Sequence, residues 1–214
     1  MAITYPRDLP SWLSFDASTA LSLLRDQSRN QRRGGTVQIV DRSEPRWALE
    51  ALTAPLDPSQ ARQFDAWLES LNGGMRDFLW VDLRRRLPQS YPDGISGLTR
   101  HGGGAFDGTA DVTAISETGL TISTLPSTFA LKAGDAIGIE EDGVYALHTI
   151  TEDATAAAGT VSLLVEPFIK ANLFSTSATA RVVDPRVQMM LTERDPVDGS
   201  YRQAVGFSAI QRIV

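Results

Sequence analysis

Cysteine is absent from the 214 residues. Its absence excludes disulfides, thiol nucleophiles and cysteine-held metals, and it fits a chain made in a reducing cytoplasm. Histidine is nearly as scarce, with only His101 and His148. Neither has a second His at ligand spacing, so no histidine metal centre is expected. No run of about eighteen apolar residues occurs, so no membrane-crossing helix is expected. The opening Met1–Arg7 lacks the basic-then-apolar pattern of a secretory signal. Basic residues do not predominate either: 20 Lys+Arg stand against 26 Asp+Glu, for a net charge of −6. Met1–Arg86 holds 12 of the basic and 11 of the acidic residues, which leaves −7 for the remainder. An acidic second half argues against a nucleic-acid partner.

What the chain does have is clearest in Pro45–Leu83, which reads strand, helix, strand. Trp47, Leu49, Ala51 and Thr53 alternate with Ala48, Glu50 and Leu52, the period of a half-buried strand. Asp57 follows as a helix N-cap, Pro58 as the first helical residue and Gln60 as the third residue of a capping box. Ala61, Phe64, Trp67, Leu68 and Leu71 form one apolar stripe over about 58–72. Asn72-Gly73-Gly74 ends the helix, because glycine takes the left-handed conformation at little cost. Asp77–Leu83 then resumes as a strand. These are packing residues, and they point away from an enzyme.

The chain before this unit opens with an extended segment, Met1–Ser14, punctuated by Pro6 and Pro10 and anchored by Trp12-Leu13. Phe15–Gln31 fits a strand or a short helix; a strand turning at Gly34-Gly35 and returning as Thr36–Val40 is the preferred reading. Arg29, Arg32 and Arg33 lie in this hairpin. A basic nucleic-acid loop is the alternative, but it lacks the interleaved aromatics that stack on bases.

Leu87–Gly108 is rich in Pro and Gly and reads as a linker or long loop. Its Gly102-Gly103-Gly104 run is no phosphate loop, because no Gly-Lys-Ser/Thr follows and no helix opens after it. Asp111–Val183 carries short strands at regular spacing, with Asp142-Gly143 as a two-residue hairpin turn, and predicts a small antiparallel barrel or sandwich. The tail, Pro185–Val214, is too short for a domain and is expected to return to the first half. The fold class is therefore mainly β with one main helix: residues 1–87 with 188–214 as one domain, and 88–187 as an inserted β lobe.

Chemistry-bearing groups are few. A Ser–His–Asp set can be drawn from His101, but no Gly-x-Ser-x-Gly elbow supports it. His148 sits inside a predicted strand and reads as a structural or surface residue. Glu140, Glu141 and Asp142 cluster at a hairpin tip, with Glu152 and Asp153 on a later loop. Paired carboxylates serve glycosidases when rigidly held, whereas a hairpin tip is solvated. The Ca²⁺-loop pattern is absent. Tyr145, Phe168 and Phe174 are the aromatics that a glycan-gripping lobe would use.

The order of several segments resembles tail proteins of long-tailed bacteriophages and related prophages. The segments are Pro6-Arg7-Asp8, Gln31-Arg32-Arg33-Gly34-Gly35, Pro45-Arg46-Trp47 and Leu71-Asn72-Gly73-Gly74-Met75-Arg76-Asp77-Phe78. Later come Gly97-Leu98-Thr99-Arg100, Gly103-Gly104-Ala105-Phe106-Asp107-Gly108, Leu131-Lys132-Ala133-Gly134-Asp135 and Val165-Glu166-Pro167. Most of the chain is covered, by turn and packing residues whose order carries the likeness. Within that group the distal tail protein is most similar. The resemblance implies a ring-forming β domain with one helix, an inserted β-barrel or sandwich lobe, and six copies joining the tail tube to the tip or hub. It implies a virion location at the tail tip, partners among tube and hub proteins, and neither catalytic residues nor a cofactor. In such a ring Arg29, Arg32, Arg33, Arg84, Arg85 and Arg86 are expected to meet carboxylates of neighbouring copies, since the guanidinium fork binds a carboxylate bidentately. The alternative partner is a host surface glycan held by the β lobe.

Overall fold

The computed structural model describes residues 3–31 and 34–212. The elements run β1 (Ala20–Leu24), β2 (Gln27–Gln31), β3 (Val37–Asp41), β4 (Arg46–Leu52), α1 (Pro58–Ser70) and β5 (Asp77–Val81). There follow β6 (Thr109–Ile115), β7 (Gly119–Ser123), β8 (Ala130–Leu131), β9 (Ala136–Glu141), β10 (Val144–Ile150) and β11 (Ala154–Thr155). The last are β12 (Val161–Glu166), β13 (Thr179–Arg181), β14 (Arg186–Arg194) and β15 (Gly206–Gln211). Strands hold 43% of the chain and helix 6%. Two compact units emerge: Met1–Phe78 with Met189–Val214, and Leu79–Gln188. The first border thus lies at Phe78, where the change in composition points to residue 87.

The first unit holds β1, β4 and β15 entire, with part of β14 and of β5, from a sheet ordered β1-β4-β15-β14-β5, and α1 backs it. Trp47, Leu49 and Ala51 turn inward from β4, as their alternation predicts, and Thr53 just beyond the strand is also buried. The helix starts at the expected cap: Asp57 Oδ1 accepts from the backbone N–H groups of Ser59 and Gln60, and Gln60 Oε1 accepts from Asp57 N–H. This reciprocal bonding satisfies donors that no helical carbonyl can reach. Ala61, Phe64, Trp67 and Leu68 form the buried face. Phe64 stacks on Trp67 at 5.8 Å, and Phe78 and Phe207 complete an aromatic core by edge contacts. Asn72, Gly73 and Gly74 all have positive φ and end the helix. At Gly74 the constraint is doubled: φ is +89°, and a Cβ there would lie 2.3 Å from the Leu191 carbonyl oxygen. Only glycine fits such an approach.

The N-terminal segment docks on this same unit. Tyr5 Oη donates to the Ser70 carbonyl, Arg7 Nη1 bonds Ser70 Oγ, and the Arg7 guanidinium lies 5.8 Å from the Trp67 ring centre. Trp67 Nε1 donates in turn to the Asp8 carbonyl. Trp12, expected as the anchor, is 37% exposed, and Tyr5 and Arg7 make the attachment.

The second unit is a closed antiparallel barrel, ordered β10-β12-β7-β6-β13-β9. Closure removes the sheet edges that would otherwise template association. Every second residue fills the interior: Leu120 and Ile122, Ile137 and Ile139, Leu163 and Val165. Asp142 and Gly143, both at positive φ, make the tight β9–β10 turn that the Asp-Gly pair predicts. The stretch 87–108, expected as a linker or long loop, is a long loop strapped to the barrel. Tyr91 stacks on Phe129 at 4.5 Å, Phe106 enters the barrel core, and Gln89 N–H donates to Asp135. Its apolar residues, Tyr91, Ile95, Leu98 and Phe106, explain why a Pro/Gly-rich segment stays down.

Candidate functional site

The β1–β4 ladder runs on beyond the sheet. β1 pairs with β4 from Ala20↔Glu50 to Leu24↔Arg46, and β2 then pairs with β3 from Gln27↔Asp41 to Gln31↔Val37. Two contacts splice the segments: Arg42 N–H donates to the Asp26 carbonyl at 2.7 Å, and Gln27 Nε2 donates to Asp41 Oδ1 at 2.8 Å. At roughly 3.4 Å per residue, five paired positions extend the ladder by about 17 Å. All ten residues of β2 and β3 are exposed. Directly paired residues share a face, so Val37, Ile39, Arg29 and Gln31 form one side of this arm, and Ser28, Asn30, Gln38 and Val40 the other. Val37 and Ile39 are 56% and 53% exposed.

The sheet of the same unit has one face on the helix and core. Its other face carries Ala48, Glu50, Ser208, Ile210 and Met190, none fully buried. There Glu50, Ser208 and Glu193 stand in one row across β4, β15 and β14. The register shift between Leu191 and Glu193 brings Glu193 opposite Ser208 and turns Arg194 to the helix side, where it bonds Asp65 and Glu69. The row borders a cavity of about 370 Å³ lined also by Leu52, Asp195 and Phe207. Asp195 Oδ2 accepts from Gly206 N–H, whereas Glu50 and Glu193 have no hydrogen-bond or ion-pair partner among the described residues.

Of the six arginines expected at a ring interface, the described ones fall in both units, Arg29 in the first and Arg84–Arg86 in the second. Arg29 is exposed on the arm, without a partner among the described residues. Arg32 and Arg33 lie outside the described residues. Arg84–Arg86 belong to the barrel unit. There Arg85 bonds Asp82 at 2.6 Å and Thr149 Oγ1 at 2.7 Å, and Arg86 grips Asp184 with two nitrogens. Those two therefore already have carboxylates of their own chain, Asp82 three residues before Arg85 and Asp184 far along the sequence from Arg86.

Several of the barrel's carboxylates are likewise engaged. Glu140 pairs with Arg181 at 2.6 Å, and Glu141 accepts from the backbone and hydroxyl of Ser175. Asp153 binds Lys132 and the Ala133 N–H, which hold its carboxyl below the usual carboxylate range. Among the described residues no three His, Asp or Glu side chains are grouped to hold a metal ion. His101 Nδ1 lies 2.9 Å from Ser127 Oγ, on the surface, and no carboxylate bonds the other ring nitrogen among the described residues. His148 is buried in β10; its Nδ1–H donates to the Pro167 carbonyl at 2.7 Å and its Nε2 has no partner. Burial pushes its pKa down to about 4, so the ring is neutral at pH 7. Of the aromatics considered for glycan stacking, Phe174 lies in the barrel core, Tyr145 is half-buried and Phe168 is 39% exposed.

The arm's signal was present in the sequence. Gln27–Gln31 contains no apolar residue, so a strand there contributes nothing to a core, and its partner Val37–Asp41 has nothing to cover its valines and isoleucine. The cavity was not visible, because it depends on register among three strands distant in sequence. No family model matches the chain, and no curated protein matches it.

Proposed function

We propose that this chain is a structural protein of a bacteriophage tail tip, of the distal-tail type, and that copies of it close a ring, six in number, joining the tail tube to the tip or hub. The observation that carries the reading is the arm: a ladder leaves the sheet and exposes all ten of its strand residues. An isolated two-stranded hairpin is marginal in water, so an arm of this kind is best explained by a neighbour that covers it. A contact between an arm and a different surface on an identical copy is head-to-tail, and a head-to-tail contact closes into a ring when its rotation permits. The helix-backed sheet supplies a rigid base for such a contact. The six-stranded barrel, formed by the inserted residues, is closed and so free of sheet edges. The ordered run of tail-protein-like segments supports the same assignment.

Negative-stain electron microscopy of the purified full chain tests the proposal. Annular particles with a central opening are expected, with six repeats in averaged end-on views. Uniform small particles without rings at all protein concentrations would contradict it.

A further inference from the structure

The charge on the arm is opposite to that of the rest of the molecule. Leu24–Arg42 carries five arginines and two aspartates, a net +3 within a chain of −6, which leaves −9 elsewhere. The arm also has sidedness: Arg29 lies directly opposite Ile39, and Gln31 opposite Val37, so one face presents a cation beside two exposed apolar side chains. The cavity on the open sheet face has the complementary pattern. Glu50 and Glu193 flank Ser208 across one strand, so their Cα atoms are two strand spacings apart, about 10 Å. That gap admits one guanidinium between the two carboxylates. Leu52 provides apolar wall beside them.

The arm does not fill this cavity in its own copy. It forms a two-stranded sheet of its own after β1, lines no part of the cavity, and its strand residues remain exposed. We propose that the β2–β3 arm of one copy lies in the sheet-face cavity of the next copy, with Arg29 seated between Glu50 and Glu193 and with Val37 and Ile39 against Leu52. This rests on the ring reading and names the two surfaces that make it. Both partners benefit: the arm covers its apolar side, and two unpaired carboxylates gain a cation. Because the two surfaces differ, every copy offers one arm and one cavity, and the contact propagates in one direction around a closed assembly.

The test is charge reversal in the full chain, read as association constants by sedimentation at low salt, with thermal melts to check folding. Arg29, Glu50 and Glu193 are all on exposed surface, so the melts are expected to match wild type. R29E weakens association about tenfold, the scale of one interfacial charge pair. E50R does the same. The combined variant R29E/E50R/E193R recovers association, because both carboxylates that face position 29 change sign together with it. Association by wild type that is unaffected by R29E, or that R29E/E50R/E193R leaves as weak as either single change, overturns this contact and leaves the ring standing. An arm-dependent dimer that never grows overturns the ring and keeps the contact. A wild-type chain that stays monomeric throughout overturns both.

Discussion

Lowering the pH from 7.0 to 4.5 is expected to destabilise the barrel unit through one residue, His148. Its imidazole is buried, donates from Nδ1 to the Pro167 carbonyl and leaves Nε2 without a partner. Protonation would place a charge and an unanswered N–H inside the barrel, and burial accordingly depresses the pKa from 6.5 to about 4. The unfolded chain takes up a proton near pH 6.5, and the folded chain only near pH 4. Stability from this residue is therefore complete above pH 6.5, falls as the pH drops toward 4, and does not change further below that. At about 1.36 kcal/mol per pH unit the full loss is about 3 kcal/mol, of which about 2.5 kcal/mol has gone by pH 4.5. The shifted carboxylates Asp16, Asp107, Asp153 and Asp198 are all lowered from 3.8, so their contributions are lost below this window. Urea titrations followed through barrel amide signals by NMR measure the effect. His148→Asn keeps a donor near the Nδ1 position and removes the titration, so its stability should change little between the two pH values. Equal pH slopes in wild type and variant, or a flat wild-type profile, would refute the reasoning.

Two further perturbations read the packing directly. Gly74→Ala forces a side chain into a left-handed position and against the Leu191 carbonyl; it should cost at least about 2 kcal/mol in urea unfolding of the first unit. Asp135→Ala removes the acceptor for Gln89 N–H and Lys132 N–H at a site only 2% exposed; about 3 kcal/mol of barrel stability should be lost, and Asp135→Asn, which keeps one carbonyl acceptor, should lose less.

The helix was legible in the sequence because every local signal agreed: cap, first-turn proline, apolar stripe and glycine stop all act within a few residues of one another. The same holds for Asp142-Gly143, where two adjacent residues specify the turn. Strand period also marked the interior of the barrel at Leu120 and Ile122. The strap at 87–108 was legible as a loop but not as an attached one, because Pro and Gly signal a lack of regular structure, which is a different property from mobility; Tyr91 and Phe106 hold it by contacts with Phe129, far along the chain. The arginines show the same limit. Arg85 and Arg86 look like free cations in sequence, yet Arg85 reaches Thr149 and Arg86 reaches Asp184, partners set by tertiary register. Gln27–Gln31 is the converse case: its polarity announced a strand outside any core, but the surface that complements it arises only when β4, β15 and β14 align.

The solution mass of the purified chain tests the central claim most directly. Light scattering over a concentration series, at low and moderate salt, should show six copies per particle, or three as a half-assembled state, with the assembly weakening as salt screens the arm's arginines. A mass of one chain at every concentration and salt level would contradict a self-assembling ring component.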